Sequence, residues 1–332
     1  MENIHFEPLR ANRSGQNRAE KYEFTHGTNS VCVYDIQTLD FIKEIPVGPF
    51  PDCHATSPDN AFLYIACRDG LYCISQESLE VVKVVDTGAV YATNVLPDRK
   101  TLLVHDLEGG VVIIKDIMDM EKIHVHKRIP VIPNGQFRCE IGGKGNFLAD
   151  NHRYLCSGWK QSKVYLFDVD DDFSFETFIE EDPVLHGGDD LVLNRDKTKA
   201  YTACHHGNIE KGHVVVIDVI NRKILKIIET GIGTCGLTMT NDERYVIASN
   251  DQEDSISVID TEIDEVVNTP CAREGFNALG LTGYIQGISC GQDDSIYVYG
   301  CKGNGAIVRF FDVAKSNKYM ISYEGGKYES DK

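Results

Sequence analysis

Short runs of β-branched and aromatic residues alternate with turn-forming clusters along nearly the whole chain. One run recurs: SVCVYD ending at Asp35, GLYCIS at Ser75, GVVIIKD at Asp116, KVYLFD at Asp168, HVVVID at Asp218, SISVID at Asp260 and AIVRFFD at Asp312. The intervals are 40, 41, 52, 50, 42 and 52 residues, which makes seven copies. Each copy belongs to a longer unit. A second alternating strand follows, such as Phe41 to Val47 or Lys223 to Glu229. After a glycine turn comes a short strand with small residues, such as Cys53 to Thr56 or Cys235 to Thr240. A tight polar turn then leads into a strand opening near Tyr64, Tyr201, Tyr245 or Tyr297. The turns read Ser57-Pro58-Asp59-Asn60, Leu96-Pro97-Asp98-Arg99, Asn194-Arg195-Asp196-Lys197 and Thr240-Asn241-Asp242-Glu243. Proline presets φ there, and aspartate bonds the backbone that follows it. Period-two alternation and β-branching mark the strands.

Four short strands in every 40 to 52 residues predict an all-β fold, a seven-bladed β-propeller of four-stranded antiparallel blades. A single four-stranded sheet cannot cover both its faces, so such sheets pack face to face around an axis. Seven units fill residues 1–332 as one domain. The first blade is expected to draw its inner strand from around His5 to Leu9. No segment shows a helical period, and Gly142-Gly143-Lys144-Gly145 reads as a β-turn. Arg138 and Glu140 then alternate on the inner strand of the fourth blade.

The units resemble the YVTN-type propeller repeat. The best copy is Tyr245-Val246-Ile247-Ala248-Ser249-Asn250, then Ser255 to Asp260, then Glu265-Val266-Val267. The stretch from Asp52-Cys53-His54-Ala55 to Ser57-Pro58-Asp59-Asn60 is similar to the inner strand and turn of cytosolic lactonase propellers of the 6-phosphogluconolactonase type. That resemblance implies a cytosolic, seven-bladed protein. It makes lactone hydrolysis, or a related lyase or isomerase step, the first functional expectation.

Composition narrows the partners. Lys plus Arg is 33 against 51 for Asp plus Glu, a formal charge of −18. Neither nucleic acid, whose binding needs a cationic surface, nor an anionic membrane suits such a chain. A small-molecule substrate remains, and a protein partner is the alternative for a non-catalytic propeller. Met1 to Arg10 lacks the apolar core of a secretory signal, so the expected compartment is the cytosol. The 11 cysteines lack CxxC spacing and read as free thiols, without a disulfide framework or a paired-cysteine zinc site.

Propeller geometry sorts side chains by face. The entry to each inner strand and the loop after the next strand share the face around the axial funnel; the Pro-Asp turns lie opposite. Seven of the 11 histidines fall on the funnel side: His26, His54, His105, His186, His205, His206 and His213. His54, His186 and His206 are the candidate proton carriers, with Arg138 as the clamp for a substrate anion. Arg68, His105, Asp189 and Tyr284 are the candidate substrate-binding residues. No cofactor is required by any motif. A divalent metal ion held by His54, His105, His186 and His206 is the variant of this scheme. His205 and His206 are adjacent on a strand end, so they point to opposite faces and cannot both hold one ion. Acids on the same rim (Asp52, Asp69, Asp106, Asp189, Asp190) would repel a phosphosugar. Trp159, the sole tryptophan, could cap a pocket at a strand end. His124 and His126 share one face of an outer strand and read as solvated.

Overall fold

The computed structural model describes residues 21–131, 141–205, 211–281, 283, 285–300 and 305–330, with 286, 299 and 300 as backbone. Blade 1 contains β1 (Tyr22–His26), β2 (Ser30–Asp35) and β3 (Phe41–Pro46); blade 2 contains β4 (His54–Thr56), β5 (Phe62–Cys67), β6 (Gly70–Ser75) and β7 (Glu80–Val85). Blade 3 contains β8 (Val90–Val95), β9 (Thr101–Asp106), β10 (Gly110–Lys115) and β11 (His124–Pro130). Blade 4 contains β12 (Asn146–Phe147), β13 (Arg153–Ser157), β14 (Val164–Asp168) and β15 (Ser174–Ile179). Blade 5 contains β16 (Gly188–Leu193), β17 (Lys199–Cys204), β18 (Lys211–Asp218) and β19 (Lys223–Ile232). Blade 6 contains β20 (Thr234–Met239), β21 (Tyr245–Asn250), β22 (Ser255–Asp260) and β23 (Glu265–Asn268). Blade 7 contains β24 (Ile285–Cys290), β25 (Ile296–Gly300), β26 (Ile307–Phe310), β27 (Tyr319–Tyr323) and β28 (Gly326–Glu329). Every sheet is an antiparallel meander in chain order. The architecture is the expected seven-bladed propeller, and the recurrent runs are the third strands of blades 2 to 7 and the middle one of the three described strands of blade 1.

The driving force sits between blades. Each of the seven seams has its own apolar cluster, from Phe24, Val31, Leu63 and Ile65 between blades 1 and 2 to Cys32, Tyr34, Tyr297 and Ile307 between blades 7 and 1. A lone blade would leave these faces wet, so closure of the ring is what buries them.

The turns between first and second strands repeat one chemistry. Asp59, Asp98, Asp150, Asp196, Asp242 and Asp293 each accept the backbone N–H two residues on. The residue after each aspartate (Asn60, Arg99, Asn151, Lys197, Glu243, Asp294) is left-handed, with φ of 58° to 63°. The aspartate thus replaces a backbone partner at the tightest point of the turn.

Three details differ from the sequence reading. The run Gly142–Gly145 is not a free β-turn. Ile141 bridges Gly158, and Leu191 N–H donates to the Lys144 carbonyl at 2.7 Å, so this stretch continues into β12 along the inner edge of blade 4. Its glycines let two backbones pass at close range. A six-residue helix, α1 (Arg273–Ala278), interrupts the all-β pattern, too short to show a period. Gly275 N–H donates to the Tyr319 hydroxyl at 3.0 Å, docking α1 on blade 7. Blade 7 also has a fifth strand, β28, at its outer edge.

The sheet of blade 1 has three strands among the described residues, and the inner strand expected at His5 to Leu9 lies outside them. Closure onto blade 7 is visible in side-chain bonds. The hydroxyls of Thr25 and Tyr34 both donate to the Gly305 carbonyl at 2.6 Å. Ser322 donates to the Leu39 carbonyl, and Lys327 pairs with Asp40 at 2.6 Å.

Candidate functional site

The end of a second strand meets the inner segment of the next blade at the funnel face. At the first seam, His26 ends β1 and His54 opens β4. The two imidazoles face each other, with His26 Nε2 and His54 Nδ1 2.8 Å apart. Both are buried, and Phe24 lies edge-on to the His54 ring. At the third seam, His105 Nδ1 lies 2.7 Å from the Gly142 carbonyl, and Tyr91 Oη donates to the same oxygen at 3.3 Å. His105 is also buried, flanked by the rings of Tyr91 and Tyr154. His54 and His105 are therefore packed into the frame, with no exposed ring surface.

Ionisable groups concentrate where blades 4, 5 and 6 meet. Asp189, Asp190, Lys144, His205 and Asp251 are all buried there. Asp190 is a staple: Oδ1 accepts Lys144 N–H of blade 4 at 2.8 Å, and Oδ2 accepts Leu237 N–H of blade 6 at 3.1 Å. Blade 5 thereby holds both neighbours with one carboxylate. Thr202 adds to the hub, its hydroxyl donating to the Asp190 carbonyl at 3.3 Å and meeting the Ser157 hydroxyl.

Above this hub lies the pair best suited to proton transfer. His205 follows β17 and Asp251 follows β21, the same repeat position in successive blades. His205 Nε2 lies 3.2 Å from Asp251 Oδ2. The carboxylate is held in turn by Gln252, whose Nε2 donates to Asp251 Oδ1 at 2.8 Å. Backbone fixes the histidine: its N–H donates to the Gly187 carbonyl at 3.0 Å, and Gly187 N–H donates to the Trp159 carbonyl at 3.0 Å. The Trp159 ring lies against the His205 ring, centroids 5.7 Å apart. An imidazole oriented by a carboxylate and walled by an aromatic ring has the geometry that acid–base chemistry requires. His213 has a different character. Burial pushes its pKa down, opposed by its bond to the Val184 carbonyl.

The sequence-derived candidates divide accordingly. His186 and Arg68 are exposed, and Asp189 is buried at the hub. His206, Arg138 and Tyr284 lie outside the described residues. Among the described residues, no group of three or more His, Cys, Asp or Glu side chains could hold a metal ion. The rim acids vary. Asp69 accepts the Tyr72 hydroxyl, while burial raises the pKa of Asp106 although Gly110 and Glu108 N–H groups donate to it. His124 and His126 are exposed, as expected.

Sequence reasoning placed His26 and His205 on the funnel side without giving either a role, and passed over Asp251. Register would have found the pair: His205 and Asp251 are 46 residues apart, one repeat, each directly after its blade's second strand.

No helix among the described residues is long and apolar enough to cross a membrane. No protein-family model and no curated protein matches the chain. Among solved structures it is similar to hydrazine synthase of Kuenenia stuttgartiensis, with a TM-score of 0.68 and 14% identity over 94% of this chain and 99% of that one. At that identity the likeness is one of fold, and the fold it supports is the propeller.

Proposed function

We propose that this chain is a small-molecule enzyme working by acid–base chemistry at the funnel mouth over blades 4 to 6. The reaction class is a lactonase-like hydrolysis or a lyase or isomerase step. The observation that carries this reading is the His205–Asp251 pair beside Trp159. In this scheme Asp251 fixes the ring orientation of His205 and stabilises its charged form, and His205 moves the proton. Trp159 supplies a flat apolar wall, and the exposed His186, one residue before Gly187, is the second proton carrier. The competing reading is a non-catalytic ligand- or protein-binding propeller. It draws support from His54 and His105, both packed into the frame.

Trp159 provides the test, because it is the sole tryptophan. A charged imidazole quenches a neighbouring indole. Emission should fall as acid protonates His205, and that step should vanish in His205→Gln. A panel of lactones and hydroxy acids should then include a compound that shifts the emission of wild type and binds at least tenfold more weakly to the variant. An emission profile identical in both proteins, with no compound shifting it, would remove the site.

A further inference from the structure

We propose that Phe50, at the tip of the Pro49-Phe50-Pro51 loop, anchors a docking surface for a second protein, one that offers an apolar socket with a basic rim. The loop joins β3 to β4 on the funnel face, on the other side of the ring from the His205–Asp251 pair. The proposal therefore stands whether or not that pair is catalytic. The backbone of the loop is clamped between two blades. Val47 and Phe50 N–H groups donate to the Asn29 and Thr28 carbonyls of blade 1 at 2.9 and 3.0 Å. Arg68 N–H of blade 2 donates to the Pro49 carbonyl at 2.9 Å. Phe50 itself is 63% exposed.

Two costs meet at this position. Phe50 has φ of +49°, where any side chain larger than that of glycine is strained. Pro51 adds to this, because a proline favours an extended residue before it. Three other apolar residues are left-handed, Leu39, Leu79 and Phe173, and each offsets its strain by burying its side chain in a seam. Phe50 does not. Among the described residues it is also the one exposed large apolar side chain on the funnel face; the others lie on outer strands or, as Ile220 and Ile263, in turns after third strands. Glycine would take the same backbone without strain and without a wetted ring. A clamped loop that holds an aromatic ring in water has the form of an interface anchor: little is left to order on binding, and the ring recovers its burial in the partner.

The chemistry of the partner follows from the rim. In the described rim loops of blades 1 to 3 the exposed charged residues are Asp69, Asp86 and Glu108, with Arg68 as the one cation. Asp69 packs against the loop itself, its Oδ1 2.0 Å from where a Cβ on Gly48 would stand. The whole chain carries −18. A second copy would set acid against acid, and like charges in register disfavour a contact. A socket ringed by Lys or Arg is the complement.

The test has two arms, both on the full chain. In denaturant melts, Phe50→Gly should lower the unfolding equilibrium constant about fivefold, the relief of strain less the added freedom of glycine in the unfolded chain. A tenfold rise would show that the fold needs the ring, and would overturn the anchor. For binding, the photo-crosslinking residue benzoylphenylalanine replaces Phe50, or Ile220 on the opposite face as control, in the cells that make this protein. Position 50 should capture a basic protein that position 220 does not. That protein, purified, should bind wild type, with Kd raised about 30-fold or more by Phe50→Gly, the scale of a lost hot spot, and unchanged by Ile220→Ser. Its affinity should weaken as salt is raised. No adduct beyond those of the control, adducts only to a second copy or to lipid, or equal binding by Phe50→Gly would refute the proposal. Affinity indifferent to salt would refute the basic rim.

Discussion

Asp190→Ala should destabilise the protein by about 4 kcal/mol, the cost of leaving two buried backbone donors without an acceptor at about 1–3 kcal/mol each. The carboxylate takes Lys144 N–H with one oxygen and Leu237 N–H with the other, from blades on either side of its own. Asp190 is only 1% exposed, so bulk solvent does not reach these donors. Asp190→Asn should fall between the two, since its amide oxygen restores one acceptor while its NH2 opposes the other donor. Asp98→Ala removes three bonds of an exposed turn on the opposite face, from Lys100 N–H, Thr101 N–H and the Thr101 hydroxyl, where water can take over in part, and should cost about 1–2 kcal/mol. Denaturant melts of the three variants check the ranking. Equal losses for Asp190→Ala and Asp98→Ala would mean that the hub is not held by this staple.

Gly142→Ala should be damaging on a similar scale, for a steric reason. A Cβ there would lie 2.4 Å from the Gly188 carbonyl oxygen and 2.7 Å from that of Asp189. Both obstacles are backbone, so neither can rotate away, and overpacking of this kind costs about 1–3 kcal/mol or more. The displaced segment would also carry off the Gly142 carbonyl, on which His105 and Tyr91 converge. We expect a loss of more than about 3 kcal/mol. Gly88→Ala separates this from a conformational effect. Gly88 has φ of +66° with nothing within 4 Å of an added Cβ, so it reports backbone strain alone, about 1 kcal/mol. A Gly142→Ala protein as stable as Gly88→Ala would show that blades 4 and 5 do not approach as closely as described.

The ring was legible in the chain because each blade repeats the same local solution. In blades 2 to 7 an aspartate closes the first turn and a left-handed residue follows it, and in every blade alternating apolar residues face the next. The turn bonds lie within a few residues, the alternation is a local pattern, and both recur. The site is built differently. Its bonds join residues one repeat apart, His205 to Asp251 and Lys144 to Asp190, and nothing local to either partner announces them. Residue type alone therefore gave weight to His54 and His105, which stand at the right face and point into the frame. Gly142–Gly145 misled for a related reason. Glycine serves both to turn a chain and to let two chains pass closely, and only the register against blade 5 shows which is at work here. The helix α1 and strand β28 escaped notice because each is a single addition outside the repeat.

The central claim is that the funnel mouth over blades 4 to 6 does proton transfer on a small molecule. Its most direct test is turnover of a lactone panel by wild type, His205→Gln, Asp251→Asn and the distant surface variant His124→Gln. At least one compound should be hydrolysed, with kcat/KM lowered about 100-fold or more in the first two variants, the scale of a lost general base, and unchanged in the third. Turnover equal in all four proteins, or turnover of no compound on the panel, would contradict the hydrolase reading.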